Sequence, residues 1–279
     1  MKLGYSKSKS NMKAAYLLQK ENYDKLIKII GDIAIANVLT DGKLSLNASE
    51  KRRLRRKTSK SIITLLKKET SLERKLIKSN LSDITSERYL QQSYLYNIGL
   101  KWNISILSED KLKEIVFRNF EGENWEKRVV KNKRKTARDL KKHVNDFLMG
   151  RTTPQEIKKQ IKHKYGFNAF ETHRLVETEV NRCMNEACEE FAEEHGIQYQ
   201  MYSATLDRHT CEECREDDGK VFAIHDPSKP TLPRHPLDRC CYIDLPSDNW
   251  RPKTRRDNEN KKTIPNITYN NWRKEYVKE

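Results

Sequence analysis

Cys211-Glu212-Glu213-Cys214 places two thiols two residues apart, and His235 and Cys240 follow after gaps of twenty and four residues. A two-residue gap lets both sulfurs of one tight turn reach a single ion at about 2.3 Å. The pattern C-x2-C-x20-H-x4-C therefore supplies three thiolates and one imidazole, the closed tetrahedral shell of a structural zinc (Zn2+) site. Four protein ligands leave no open position for water, which argues against hydrolysis at the metal. Other readings of the same residues stay open. The CxxC pair is also a redox pair or two unrelated buried thiols, although no βαβ pattern surrounds it. Cys241 is an alternative to Cys240, because neighbours on a strand face opposite ways and only one of them meets the ion. Cys183 and Cys188, five apart on a helical stretch, read as small buried residues.

The elements that must position this cluster are mostly helical up to residue 195, where glycine and proline are sparse and apolar residues recur at helical spacing. Met12 to Leu39 reads as one helix, with a turn at Asp41-Gly42 and a second helix from Asn47–Glu50 through Lys51-Arg52-Arg53-Leu54-Arg55-Arg56-Lys57. Thr70-Ser71-Leu72-Glu73 has capping-box spacing and predicts a new helix start. Ser108-Glu109-Asp110 predicts another. Gly150 ends a helix, and Thr153, Pro154 and Glu156 cap the next. That helix is expected to close at Gly166. A long amphipathic helix then runs from Ala169 to His195, with Phe170, Val176, Val180, Cys183, Ala187 and Phe191 buried and Gly196 as its stop.

After Gly196 the period becomes alternating, which predicts strands at 197–203, 219–224 and 241–245. The segment from Ser247 reads as polar and loose, with a short helix near Thr268–Trp272. The expected fold class is α+β, mainly α. An elongated basic helical region (1–107) precedes a helical domain (108–196) that completes a helical bundle. A small antiparallel β zinc-binding module (197–246) and a polar basic tail (247–279) follow.

A net charge of +16 and a hydrophobic share of 35% point to a chain that lies on an acidic partner, nucleic acid being the commonest. Residues 1–75 hold 19 Lys/Arg against 7 Asp/Glu and residues 251–279 hold 9 against 4, so by sequence the two ends carry the excess. The candidate phosphate-binding residues are Lys51, Arg52, Arg53, Arg55, Arg56 and Lys57, contacting double-stranded DNA without sequence preference. The alternative is a solvated helix face. No apolar leader or membrane-spanning run is apparent, so cytoplasmic synthesis and no membrane partner are expected.

The run Asp207 to Cys214, Asp218-Gly219-Lys220-Val221-Phe222, His235-Pro236 and Arg239-Cys240 resembles the head-morphogenesis family of tailed bacteriophages, minor head proteins related to phage Mu F. That family's pattern runs D-x-R-T-C-x-x-C-x-x-x-D-G and then H-P-x-C-R-C. Glu177-Thr178-Glu179, Asn181-Arg182 and Asn185-Glu186-Ala187 are similar to its R-T-E…R…N-x-A helix, and Gly122 to Arg128 resembles a segment common in phages of Gram-positive hosts. The resemblance covers about residues 115–246. His209 replaces the family's Arg, and Asp238 replaces the first Cys of C-R-C, removing one candidate ligand and leaving Cys240 to match the last.

The resemblance implies a non-enzymatic virion component acting in head morphogenesis. Its implied partners are the portal and other head proteins, its implied place is the head interior after assembly in the host cytoplasm, and no small-molecule substrate is expected. The alternative is a zinc-containing nuclease or toxin sharing the C-terminal module, for which His209 and His225 would have to serve. A non-viral DNA-binding regulator is disfavoured by the lack of a recognition-helix signature.

Overall fold

The computed structural model describes residues 2–247 and 249–277. Two helices, α1 (Lys2–Asn11) and α2 (Lys13–Ile35), lead to a hairpin of β1 (Leu39–Thr40) and β2 (Lys43–Leu44). Its turn places Asp41 and Gly42 at positive φ, 50° and 72°, as a tight two-residue hairpin requires. The helix expected from Met12 to Leu39 is α2, which therefore ends at Ile35, before Leu39.

Helix α3 (Ala48–Leu100) opens with Asn47 and Glu50 bonding each other's backbone N–H at 2.9 Å. Next come α4 (Glu109–Phe117), α5 (Trp125–Leu148) and α6 (Pro154–Glu194). Ser108 accepts from Lys111 N–H at the start of α4, and Thr153 and Glu156 form the capping box expected at α6.

Two sequence-based boundaries are absent. No helix starts at Thr70–Glu73 and none stops at Gly166, since α3 and α6 run through both points. Both corrections have one cause, a buried polar network in the first compact unit.

That unit comprises Lys7–Asn80 and Phe117–Val176. Its apolar core takes Leu26 and Ile30 from α2, Leu54, Ile62 and Leu66 from α3, Leu140, Val144 and Phe147 from α5, and Ile157 and Ile161 from α6. In the same interior, Lys133 Nζ lies 2.9 Å from Glu69 and 2.5 Å from Glu73. Gln19 donates to Glu73 at 2.7 Å and Asn22 to Glu69 at 2.8 Å. Lys133 also donates to Asn168 at 3.1 Å, and Thr172 donates to Glu73 at 3.4 Å. Burial holds the Glu73 carboxyl above its ordinary range.

Glu73 is thus a buried charge partner, not a helix cap, and α3 must continue to present it. Asn168 and Thr172 require α6 to continue through Gly166 in phase, which turns Phe170 outward at 49% exposure against the expected buried stripe. Val176, Val180, Cys183, Ala187 and Phe191 are buried as expected.

The second unit comprises Met1–Ser6, Leu81–Val116 and Glu177–Glu279. Gly196 at φ +66° turns the chain out of α6. A three-stranded antiparallel sheet follows in the order β4 (Val221–Ala223), β3 (Tyr199–Ser203), β5 (Cys241–Leu245), with Met201 opposite both Val221 and Ile243. A short helix, α7 (Glu212–Glu216), sits between β3 and β4.

The half-exposed alternation expected of β3 is absent. Gln200, Met201 and Tyr202 are all buried, because β3 is the central strand. Gln200 meets Asp244 at 2.6 Å, and Gln92 of α3 reaches the other Asp244 oxygen at 2.7 Å.

The tail is not loose. It forms a hairpin of β6 (Thr254–Asp257) and β7 (Lys262–Pro265), then α8 (Tyr269–Tyr276). Trp272 and Tyr269 bury fully with Leu206 and Ile264, a core that the polar average of this segment conceals. The mainly helical architecture with small antiparallel sheets is as expected from sequence. No helix is long and apolar enough to cross a membrane among the described residues.

Two outcomes follow from these interiors. Lys133→Met leaves two neighbouring carboxylates without a buried cation and should cost about 3–5 kcal/mol in urea denaturation, with Glu69→Gln in the same chain recovering part of it. A cost near zero would contradict the network. In the second unit, burial raises the Asp244 carboxyl from 3.8 to about 6. The stability this group contributes is present below its unfolded pKa and is lost as pH rises through about 6, on the order of 3 kcal/mol in full. Asp244→Asn removes that loss, and the Gln200 amide oxygen, buried without a partner, can accept from the new amide after a flip. The melting temperature of the variant relative to the parent should therefore rise between pH 4 and pH 8, and a flat difference would refute the assignment.

Candidate metal centre

β3 delivers the chain into a loop built on carboxylates. Asp207 accepts from His209 N–H at 3.0 Å and from Thr210 Oγ1 at 3.2 Å, and Arg239 pairs with its other oxygen at 2.6 Å. This leads directly to Cys211, which occupies the extended N-cap position of α7, so Cys214 lies one turn on and fully buried. Asp218 closes the loop. It accepts from Ala204 N–H at 2.8 Å, from Tyr269 N–H at 2.6 Å, and from both terminal nitrogens of Arg255 at 2.8 and 3.0 Å. Gly219 follows at φ +86°, the left-handed conformation that glycine adopts without strain.

The His235–Cys240 loop is held from two sides. Asp238, buried, accepts from Cys240 N–H and Arg234 N–H, both at 2.9 Å. From α6, Thr178 Oγ1 accepts from Leu237 N–H at 3.1 Å, and Asn181 and Asn185 donate to the Cys240 carbonyl at 3.0 and 3.3 Å. Leu237 sits at φ +65°, a left-handed position disfavoured for a branched side chain and held by that bond. Arg182 of α6 is buried between Glu179 and Glu186 and reaches the Ile115 carbonyl of α4 at 2.8 Å.

These contacts gather the donor atoms around Cys214 in two overlapping triads, Cys211–Cys214–His235 and Cys214–Asp238–Cys240, with the atoms of each triad within 4.8 Å of one another. All four predicted ligands, Cys211, Cys214, His235 and Cys240, thus come together about one sulfur. Cys241 is in neither triad. Asp238, read from sequence as the loss of a ligand, brings a carboxylate oxygen to the cluster.

The Cys214 thiol is drawn down to about 6, first by the hydrogen bond with Cys240 and then by those with Tyr202 and Cys211, against the opposing effect of burial. Tyr202 Oη donates to it at 3.1 Å. The Cys240 thiol is pushed up by the same hydrogen bond and by burial. Burial works against the charged form of His235, while the Pro236 carbonyl, Asp238 and Cys214 together raise its pKa. The Nδ1–H of His235 faces the Pro236 oxygen at 3.0 Å, the partner that leaves Nε2 free for a metal. Three sulfurs with one imidazole suit a borderline-soft ion such as zinc, and a nearby carboxylate does not disturb that preference.

The other predicted residues lie elsewhere. Lys51, Arg52, Arg53, Arg55, Arg56 and Lys57 line the solvent side of α3, with Leu54 and Thr58 turned inward. His209 and His225 are exposed and in neither triad, and Cys183 and Cys188 are buried.

Residues 138–243 match the family model described as Phage Mu protein F like protein. This stretch is Phage Mu F-like. The match spans the two asparagines of α6, the Asp207 and Asp218 turns and every member of both triads. The family implies a phage head-related protein. No curated protein and no solved structure matches the chain.

Sequence reasoning missed how the cluster is positioned. Asn181 and Asn185 stand four apart on one helix face, a spacing that presents two amides to one acceptor, and that was the available signal. Cys214→Ser should abolish stoichiometric zinc in protein purified under reducing conditions, read by elemental analysis. It should also raise hydrogen exchange across 197–246 while Lys133 and its surroundings stay protected. Parent protein without stoichiometric metal would overturn the assignment of these ligands.

Proposed function

We propose that this chain is a minor head protein of a tailed phage, a structural and assembly factor without enzymatic activity. It associates with the portal and other head proteins and touches packaged double-stranded DNA without sequence preference. It assembles in the host cytoplasm and resides in the head interior. The observation that carries this reading is the Phage Mu F-like match, which falls on the helix-clamped loops of the metal centre. Zinc at Cys211, Cys214, His235 and Cys240 acts as a clasp that joins the α7 turn to the β5 entry. A closed shell of this kind supplies folding free energy, on the order of 10 kcal/mol in small modules, and offers no site for substrate.

The nuclease alternative finds no support in the geometry. It needs a histidine general base beside an ion with open positions, and the two free histidines stand in exposed turns outside the triads.

Mass spectrometry of purified virions tests the reading. The chain is expected in virions at low copy relative to the major capsid protein, and cross-linking is expected to join it to the portal. Absence from both virions and procapsids, or metal-dependent cleavage of plasmid DNA by the purified chain, would overturn it.

A further inference from the structure

The basic excess of this chain is segregated by fold, not by position along the sequence. The first compact unit, residues 7–80 and 117–176, holds 35 Lys/Arg against 14 Asp/Glu, a net of +21. The second holds 21 against 26, a net of −5. Within the first unit the charge converges on a groove of about 950 Å³ between α3 and α5. Lys67, Arg74, Lys75 and Lys78 line it from α3, and Arg134, Arg138 and Lys141 from α5. Its apolar lining is Ile63, Leu66, Val130 and Ala137, and Thr70 and Ser71 also line it.

Glu126 is the only acid in the lining, and Arg74 neutralises it at 2.8 Å. Among the described residues none of the other six lining cations named above takes part in an ion pair. Lys133 lies beneath, already committed to Glu69 and Glu73. A second groove, sharing Arg74, Val130, Arg134 and Arg138, continues over Lys127, Lys131 and Lys135, where Glu123 pairs with Lys131 at 3.3 Å and Asn124 also lines it.

We propose that the α3–α5 groove, and not the Lys51–Lys57 cluster, is the surface on which this protein binds the phosphate backbone of double-stranded DNA. Six cations without a salt bridge among the described residues, one of them (Lys78) over the Phe117 ring, repel one another in a concave strip, and a polyanion neutralises them with release of its own counterions. The dimensions agree. Lys67 to Lys78 spans eleven residues of helix, about 16 Å, which matches about five phosphates along one strand. The lining has no aromatic side chain on which unpaired bases could stack, so a duplex fits better than a single strand. It also presents no Asn or Gln to read adenine edges. The proposal deepens the DNA contact named above. It rests on that reading only for the biological source of the duplex, and its test reads affinity, not virion content, so either can fail alone.

The test compares two full-length variants that lose the same charge. One carries Lys67→Gln, Lys78→Gln, Arg134→Gln and Arg138→Gln, and the other carries Arg52→Gln, Arg53→Gln, Arg55→Gln and Arg56→Gln. Fluorescence anisotropy with a labelled duplex of mixed sequence is read between about 50 and 200 mM salt. The groove variant should lose affinity by about tenfold or more, and its salt slope should fall by about 3 to 4, close to 0.9 per contact removed. The Arg52–Arg56 variant should stay within about threefold of the parent. Equal losses would show a diffuse field and overturn the groove, as would a larger loss in the Arg52–Arg56 variant or no binding by the parent. Stronger competition by poly-glutamate than by duplex of equal charge would also overturn it, assigning the surface to an acidic protein. If circular dichroism shows lost helix in the groove variant, the pair Lys67→Gln and Arg138→Gln is read in its place, with about half the change in slope.

Discussion

Lys133 stands in the interior of a helical unit between two carboxylates, Glu69 and Glu73, and every helix of that interior supplies a partner to the trio. Gln19 and Asn22 come from α2, the carboxylates from α3, the ammonium from α5, and Asn168 and Thr172 from α6. One cation does not balance two buried anions, so the amides and the hydroxyl carry the remaining solvation. An apolar core alone tolerates small slips of one helix along another. A network of this kind does not, because each slip strands a carboxylate without donors at a cost of several kcal/mol. The register of α3 against α5, and with it the groove between them, follows from this constraint.

The candidate metal centre applies the same logic to loops. Thiols and an imidazole on irregular backbone have no intrinsic reason to converge. Asp207, Asp218 and Asp238 each fold a turn by accepting backbone N–H groups, and Asn181 and Asn185 fasten the Cys240 carbonyl to a long helix. The tail contributes as well, since Arg255 clamps Asp218 from the β6 strand and Tyr269 donates its backbone N–H to the same carboxylate. Hydrogen bonds from the helix, the turns and the tail thereby bring the donor atoms together.

Charge organisation and architecture are linked in the basic unit. The lysines and arginines of α5 alternate with Val129, Leu140, Val144 and Phe147 so that one face packs and the other is cationic. Repulsion among those cations opposes packing, and the apolar core and the buried network must outweigh it. A surface that stores repulsion in this way favours a polyanionic partner.

The sequence by itself determined much. Capping residues placed the starts of α3, α4 and α6, the change of pattern after Gly196 marked three strands, and CxxC with a later His and Cys singled out side chains that the fold brings together, because each of these signals is local and chemical. Only the tertiary structure decided what depends on non-local partners. Glu73 resembles a cap until Lys133 arrives from sixty residues away, and Gly166 resembles a stop until Asn168 and Thr172 are needed inside. Asp238 resembles a lost ligand until its carboxylate is seen beside Cys214 and Cys240. The polar tail resembles a loose end until Trp272 is buried. At the cluster with which the sequence begins its chemistry, residue types were legible, but convergence on Cys214 was not, because it is made by hydrogen bonds from a helix and turns distant in the chain.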